Sequence, residues 1–355
     1  SLGLNPKYIQ QTKLRLLAQY QWPNAAAASQ IARDDGSDSD EPLFPFEVVT
    51  FDAADSSKPS LVLCFSEGEP HDGGLNLTSS AVEVLQLVAS QVSRVFLATI
   101  RSLRAFAPSR QFARAHQQDI WSYSKRAVAN AGSAATGLFA WKPYIIQQAL
   151  RRLEAGQTLV YHDINIGKIK AYRRNLASLR LVADRLLQCS GGSIYVSVEI
   201  WNQQACMLRK FASWYVMRAV LGGEALRRTI AAMPNLAANA IVLRQSPLSR
   251  ALVNTWLKLV DRDEWLAPHE VSADGTKPPR VAEPLEFSHH PGEQALLNLV
   301  LWSARLSRAL PAQWPGCSAW DRDLQQLTTT DVAGLFLKHP MTYVKMKSCM
   351  VVPQT

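Results

Sequence analysis

Two spacings of apolar residues alternate along this chain. Unbroken apolar runs of about five residues mark strands covered on both faces, and repeats at three and four residues mark helices that pack by one stripe. Ser60 to Phe65 is the first strong run, and it ends in the turn-forming segment Ser66-Glu67-Gly68-Glu69-Pro70. Ser80 to Ser90 follows as an amphipathic helix and Arg94 to Ile100 as the next strand. That order opens a doubly wound α/β domain. Further along, Pro143 suits a first helical turn, where its missing N–H costs nothing. Ile145, Ile146, Ala149, Leu150 and Leu153 then repeat with helical spacing, which turns Gln147, Gln148, Arg151 and Arg152 toward water. Gly156 is placed to stop this helix in the left-handed conformation. Thr158 to Tyr161 is a short β-rich run, so Asp163 is expected just past the carboxyl end of a buried strand, where open α/β sheets hold their ligands.

The remaining pattern extends the same architecture. Phe46 to Phe51 reads as an edge strand, Leu176 to Gln188 as a helix buried through Leu179, Val182, Ala183, Leu186 and Leu187, and Ser193 to Ile200 as a strand. Cys206 to Leu221 reads as helix, Ala240 to Leu243 as a short strand, Ser249 to Val260 as helix, and Gly292 to Leu310 as a helix ended by Pro311. Ala267 to Pro284 is rich in Pro, Gly, Asp and Lys, and a loop of that length reads as a lid or as a disordered segment, with Lys277 and Arg280 as solvated charges by default or near a bound diphosphate if the loop closes. Residues 1–45 read as an N-terminal helix and a flexible Ala/Ser/Asp connector, and 46–355 as one domain. Within it, 58–190 forms a nucleotide-binding half, 191–310 an acceptor half and 311–355 a tail.

Composition narrows the classes of function. At 47% hydrophobic and 19% charged residues, the 355-residue chain can bury one large α/β core. No run of about 18 apolar residues is present, so no transmembrane segment is expected. The net charge of +9 suits an anionic partner such as a nucleotide diphosphate or an acidic glycan. The basic residues are scattered, without a basic run or an aromatic-glycine RNA motif, and no nucleic acid is expected as partner. Five cysteines, widely spaced and without a CxxC pair, argue against a structural zinc site and read as reduced and buried.

The segments Trp141-Lys142-Pro143-Tyr144, Gly156-Gln157 and Tyr161-His162-Asp163-Ile164-Asn165 resemble the nucleotide-sugar glycosyltransferases with the GT-A fold. The likeness is to the branch that carries a Trp-Lys-Pro-Tyr helix, a Gly-Asp turn and a Tyr-x-Asp-Ala-Gly/Asp strand end, and it extends from Leu61 to near Leu306. It implies a GT-A, Rossmann-like doubly wound mixed sheet flanked by helices, with base and ribose seated at the loop after the first strong strand, at Ser66 and Glu67. Ala238 to Arg244 resembles the branch's acceptor-side strand, with Asn239 where Gly is usual. Phe287 to Gln294 resembles a His-Arg-His-Asp-Gln segment before a helix, with His290 at the first histidine and Glu293-Gln294 in place of Asp-Gln; the second histidine is changed.

Each of these residues carries a chemical reading. Residues i and i+2 of a strand point the same way, so Asp163 and Asn165 can share one divalent cation, Mn2+ or Mg2+, although Asn is a neutral and weaker ligand. Lys142, beside a proline at a helix start, reads as a diphosphate contact or as a solvated surface charge. Trp141 and Tyr144 read as core anchors, and His162 as a structural histidine facing away from Asp163. Glu293 reads as a catalytic base or acceptor contact, or as an acid that complements its helix dipole. The resemblance thus implies an enzyme, a glycosyltransferase, with Asp163 and Glu293 catalytic, Ser66, Glu67, Lys142, Asp163 and His290 binding the nucleotide sugar, and Asp163 and Asn165 holding metal. The donor is a nucleotide diphosphate sugar and the acceptor a glycan or other hydroxyl. The alternatives are a non-catalytic nucleotide or glycan binder on the same scaffold, and a nucleic-acid-binding protein suggested by charge alone. Nothing in the sequence names the compartment: the options are the cytoplasm, or the Golgi lumen if an upstream membrane anchor was removed.

Overall fold

The computed structural model describes residues 42–65, 84–110, 139–162, 179–266, 283, 287, 290, 292–311 and 314, apart from 53, 54, 56, 108, 199, 202, 203 and 206. In chain order the strands are β1 (Glu47–Thr50), β2 (Ser60–Phe65), β3 (Arg94–Thr99), β4 (Thr158–His162), β5 (Ile194–Val198), the two-residue pair β6 (Ile200–Trp201) and β7 (Gln204–Ala205), and β8 (Leu236–Arg244). The helices are α1 (Ile100–Phe106), α2 (Trp141–Leu150), α3 (Leu179–Cys189), α4 (Trp214–Leu221), α5 (Glu224–Ala231), α6 (Pro247–Val260), α7 (Asp263–Leu266) and α8 (Glu293–Leu306). No described helix is long and apolar enough to cross a membrane.

Six strands form one open mixed sheet in the order β1-β3-β2-β4-β8-β5. β2 pairs in parallel with β3 on one side and with β4 on the other, while β8 runs antiparallel to both β4 and β5, and β1 closes the opposite edge antiparallel to β3. The parallel centre forms where the sequence offers unbroken apolar runs, because strands covered on both faces have no polar side to show. Leu61, Leu63, Val95 and Val160 point to one face, where they meet Val84 and Val88 of the helical turn at 84–88 and Leu179, Ala183, Leu186 and Leu187 of α3. Val62, Phe96, Leu159 and Tyr161 point to the other, under α2, α6 and α8. The chain therefore crosses from β2 to β3 over one face and from β3 to β4 over the other. That reversal is compatible with a Rossmann-like arrangement, and it puts a switch point between β2 and β4.

Several expectations change in detail. α2 is buried on every side, Gln147 and Gln148 included. Gln147 Nε2 donates to Asn254 Oδ1 of α6 at 3.0 Å, and Gln148 Oε1 accepts from the Phe44 amide at 3.0 Å. A polar stripe shows only that a helix face needs hydrogen-bonding partners, and here protein supplies them in place of water. Phe44 is itself part of the core, just ahead of the expected boundary at 46. Gly156 is left-handed, with φ +87°, but α2 has already ended at Leu150. The glycine instead turns the chain into β4, its amide donating to the Gln245 carbonyl at 2.8 Å. Helix was expected from Cys206 to Leu221; a 3-10 turn at Leu208–Lys210 is found instead, and α4 begins only after Ser213, whose backbone is extended.

α8 is the buried spine of the second half of the chain. Asn298 on it is fully buried, donates from Nδ2 to the carbonyls of Leu236 (3.0 Å) and Gln294 (2.8 Å), and accepts at Oδ1 from the Leu236 amide (2.8 Å). One side-chain amide thus satisfies both polar groups of the first residue of β8. Asn298→Leu is expected to destabilise the fold by about 3 kcal/mol, since a buried donor and acceptor lose their partner together. Urea unfolding of the variant against wild type measures it, and a loss under about 1 kcal/mol would show that other groups replace the amide.

Candidate functional site

The carboxyl edge at the switch point is built from the residues that leave β2 and β4. Leu61 and Val62 pair in parallel register with Val160 and Tyr161, so the chain exits both strands on the same side of the sheet. The exits themselves, Ser66 and Glu67 after β2 and Asp163 and Asn165 after β4, lie outside the described residues, as does most of the expected lid, Lys277 and Arg280 included. His162, the last residue of β4, is buried. Strand alternation places it on the side of Val160 and α3, as a structural histidine.

Two residues singled out separately in the sequence meet at this edge. Lys142 Nζ lies 3.1 Å from Glu293 Oε1, with side chains only 4% and 5% exposed. Neither is the solvated charge that one reading of Lys142 expected. The ammonium also donates to the Ala238 carbonyl at 3.3 Å, and it lies 4.6 Å from the Phe139 ring centre and 5.8 Å from that of Tyr161. Each contact follows from local structure. Lys142 is in the first turn of α2 and Glu293 opens α8, so two helix N-termini converge on one carboxylate. The pairing of β4 with β8 ends at Ala240, and that of β5 skips from Ile241 to Ala237. Ala238 falls in the gap between those ladders, which leaves its carbonyl to the lysine. Phe139, over the ammonium, holds φ 60°, a left-handed conformation that costs a non-glycine residue on the order of 1 kcal/mol. Trp141 and Tyr144 are buried in the core beside them.

His290 is a brace between chain segments. Its Nδ1 accepts from the Ser213 amide at 3.1 Å, which leaves Nε2 to donate its proton to the Trp265 carbonyl at 2.9 Å. Both ring nitrogens are thus on backbone groups, and the ring is buried. Three further residues were not marked by sequence reasoning. Glu283 receives the Ser213 hydroxyl at 2.6 Å and the Trp214 amide at 2.7 Å, and so caps α4 from far along the chain. Asn298 is the third functional polar group of this half, through its hold on β8. A serine before an apolar helical stripe signals an N-cap, so Ser213 was open to detection, but its distant partners carry no local signal.

Among the described residues, no three His, Cys, Asp or Glu side chains gather as a metal site. Cys64 is in no disulfide and is half-buried. No family model matches the chain, and neither do any characterised proteins or solved structures.

Proposed function

We propose that this protein is a GT-A glycosyltransferase that moves a sugar from a nucleotide diphosphate donor to a glycan or other hydroxyl acceptor. The observation that carries the reading is the switch point: β2 and β4 lie side by side in parallel, so the segments beginning at Ser66 and Asp163 start from one edge of one sheet. Open α/β sheets bind nucleotides at such an edge. In the transfer, the acceptor oxygen bonds to the anomeric carbon, the bond from that carbon to the diphosphate oxygen breaks, and the acceptor proton passes to a base or to the departing phosphate. Ser66 and Glu67 would meet base and ribose. Asp163 and Asn165 offer the oxygen donors that Mg2+ or Mn2+ accepts, and such an ion would offset the charge of the leaving diphosphate. Lys142 and Glu293 neutralise each other beneath this edge, so in this reading they fix its shape.

That same pairing favours a second reading, a nucleotide binder without turnover, because it leaves less positive charge for a leaving group. A panel of nucleotide sugars with Mn2+ separates the two. Calorimetric binding together with release of nucleoside diphosphate is the expected result. Tight binding with no release selects the binder, and absence of binding to every member of the panel overturns both.

A further inference from the structure

A cluster of positive charge lies around α4 and α5. Residues 207–233 carry five basic side chains, Arg209, Lys210, Arg218, Arg227 and Arg228, against one acid, Glu224, a net +4 out of +9 for the whole protein. Arg209, Arg218 and Arg228 are exposed and the other two are half-buried. Glu224 is engaged by Arg228 within α5. At the centre is Trp214, half-buried, with the Arg227 guanidinium 5.2 Å from its ring centre. Arg218 lies one helical turn along α4 from that indole, on the same side. The patch is tied to the candidate site: Trp214 follows Ser213, which His290 holds, and His290 leads into α8 and Glu293.

We infer that this surface is the acceptor subsite and that it takes an acidic glycan, a chain of sugars bearing carboxylates or sulfates. The inference rests on the glycosyltransferase reading. An indole stacks on the apolar face of a sugar ring, and guanidinium groups set around it match carboxylates in geometry and charge. Trp214 and Tyr215 are the partly exposed aromatics of this patch, and two adjacent aromatics among separated arginines fit this ligand better than single-stranded nucleic acid, which stacks successive bases on a row of aromatics. Ser213 and Trp214 join the patch to His290 and Glu283, ahead of α8, whose first residue Glu293 pairs with Lys142.

Calorimetry of the whole chain with a galacturonate hexasaccharide, and with its neutral methyl ester, tests the inference. The acid form is expected to bind at least about tenfold tighter than the ester, with affinity falling as salt rises. Arg218→Glu and Trp214→Leu are each expected to weaken it about tenfold, while Lys258→Glu, the same charge change at an exposed position of α6, changes it less than about twofold. Equal affinity for acid and ester overturns the proposal, and so does equal loss in Arg218→Glu and Lys258→Glu. Tighter binding of an oligonucleotide with the same number of charges overturns it in favour of nucleic acid. Nucleotide sugars titrated in parallel keep the two readings apart. Donor binding without acid preference removes only the subsite, whereas acid-selective binding without any donor binding removes the glycosyltransferase reading, and with it the acceptor role.

Discussion

Replacing Glu293 by glutamine is expected to destabilise this protein by about 3–5 kcal/mol, the range for breaking a buried ion pair by removing one partner. The carboxylate that is lost sits 3.1 Å from Lys142 Nζ in a place nearly sealed from water, so the buried amine would have little to replace that carboxylate. The helices make the loss asymmetric. A carboxylate at the start of a helix is favourable and an ammonium there is not, and Lys142 is in the first turn of α2. Glu293 therefore opposes the positive ends of α2 and α8 at once, and its removal should cost more than Lys142→Met. The double variant Lys142→Met/Glu293→Leu should recover much of the loss, because an apolar pair of similar size avoids burying charge. Urea unfolding of the two single variants and the double variant gives the coupling directly. Single variants that each cost under about 1 kcal/mol, as a surface pair would, refute the description of this pair as a buried electrostatic clamp.

Why this pair escaped the sequence, although both residues were marked, shows where local reasoning stops. β2, β3 and β4 were legible as apolar runs, since a parallel strand covered on both faces has no alternative pattern. From them came the doubly wound centre and the edge on which the candidate site was placed. The stripe of α2 was read correctly on its apolar side and wrongly on its polar side, because Gln147 and Gln148 look the same whether Asn254, Phe44 or water receives them. β8 was expected from Ala240 to Leu243 but runs from Leu236, through an interruption that shifts its register against β5. An irregularity of that kind breaks the period on which strand recognition depends. Likewise, His290 and Glu283 meet Ser213 only through the fold, and no spacing encodes a contact between distant segments. What the sequence offers reliably is the identity of charged residues at element ends. Which of them face each other is decided by packing.

The proposed chemistry stands or falls most sharply on Asp163. β4 is buried along its whole length to His162, and its partner β2 runs beside it in the same direction, so the residue after His162 is the first that can leave the sheet at the switch point. A carboxylate there would hold the cation that steadies the departing diphosphate, and that charge develops only as the sugar transfers. Asp163→Ala is therefore expected to reduce transfer by at least about 100-fold, the scale for losing one electrostatic stabiliser of a transition state. In this reading Asp163 meets ligand and not the core, so the thermal midpoint should stay nearly constant. Asn165→Asp should tighten Mn2+ dependence, since a second carboxylate replaces a neutral donor at the i+2 position. Activity on the best donor of the nucleotide-sugar panel and thermal melts of the same preparations test both. If Asp163→Ala lowers the midpoint by several degrees along with activity, the aspartate serves only to shape the turn after β4, and the proposed metal site is overturned. If transfer is unchanged, the carboxyl edge of β4 is not where this protein does its chemistry.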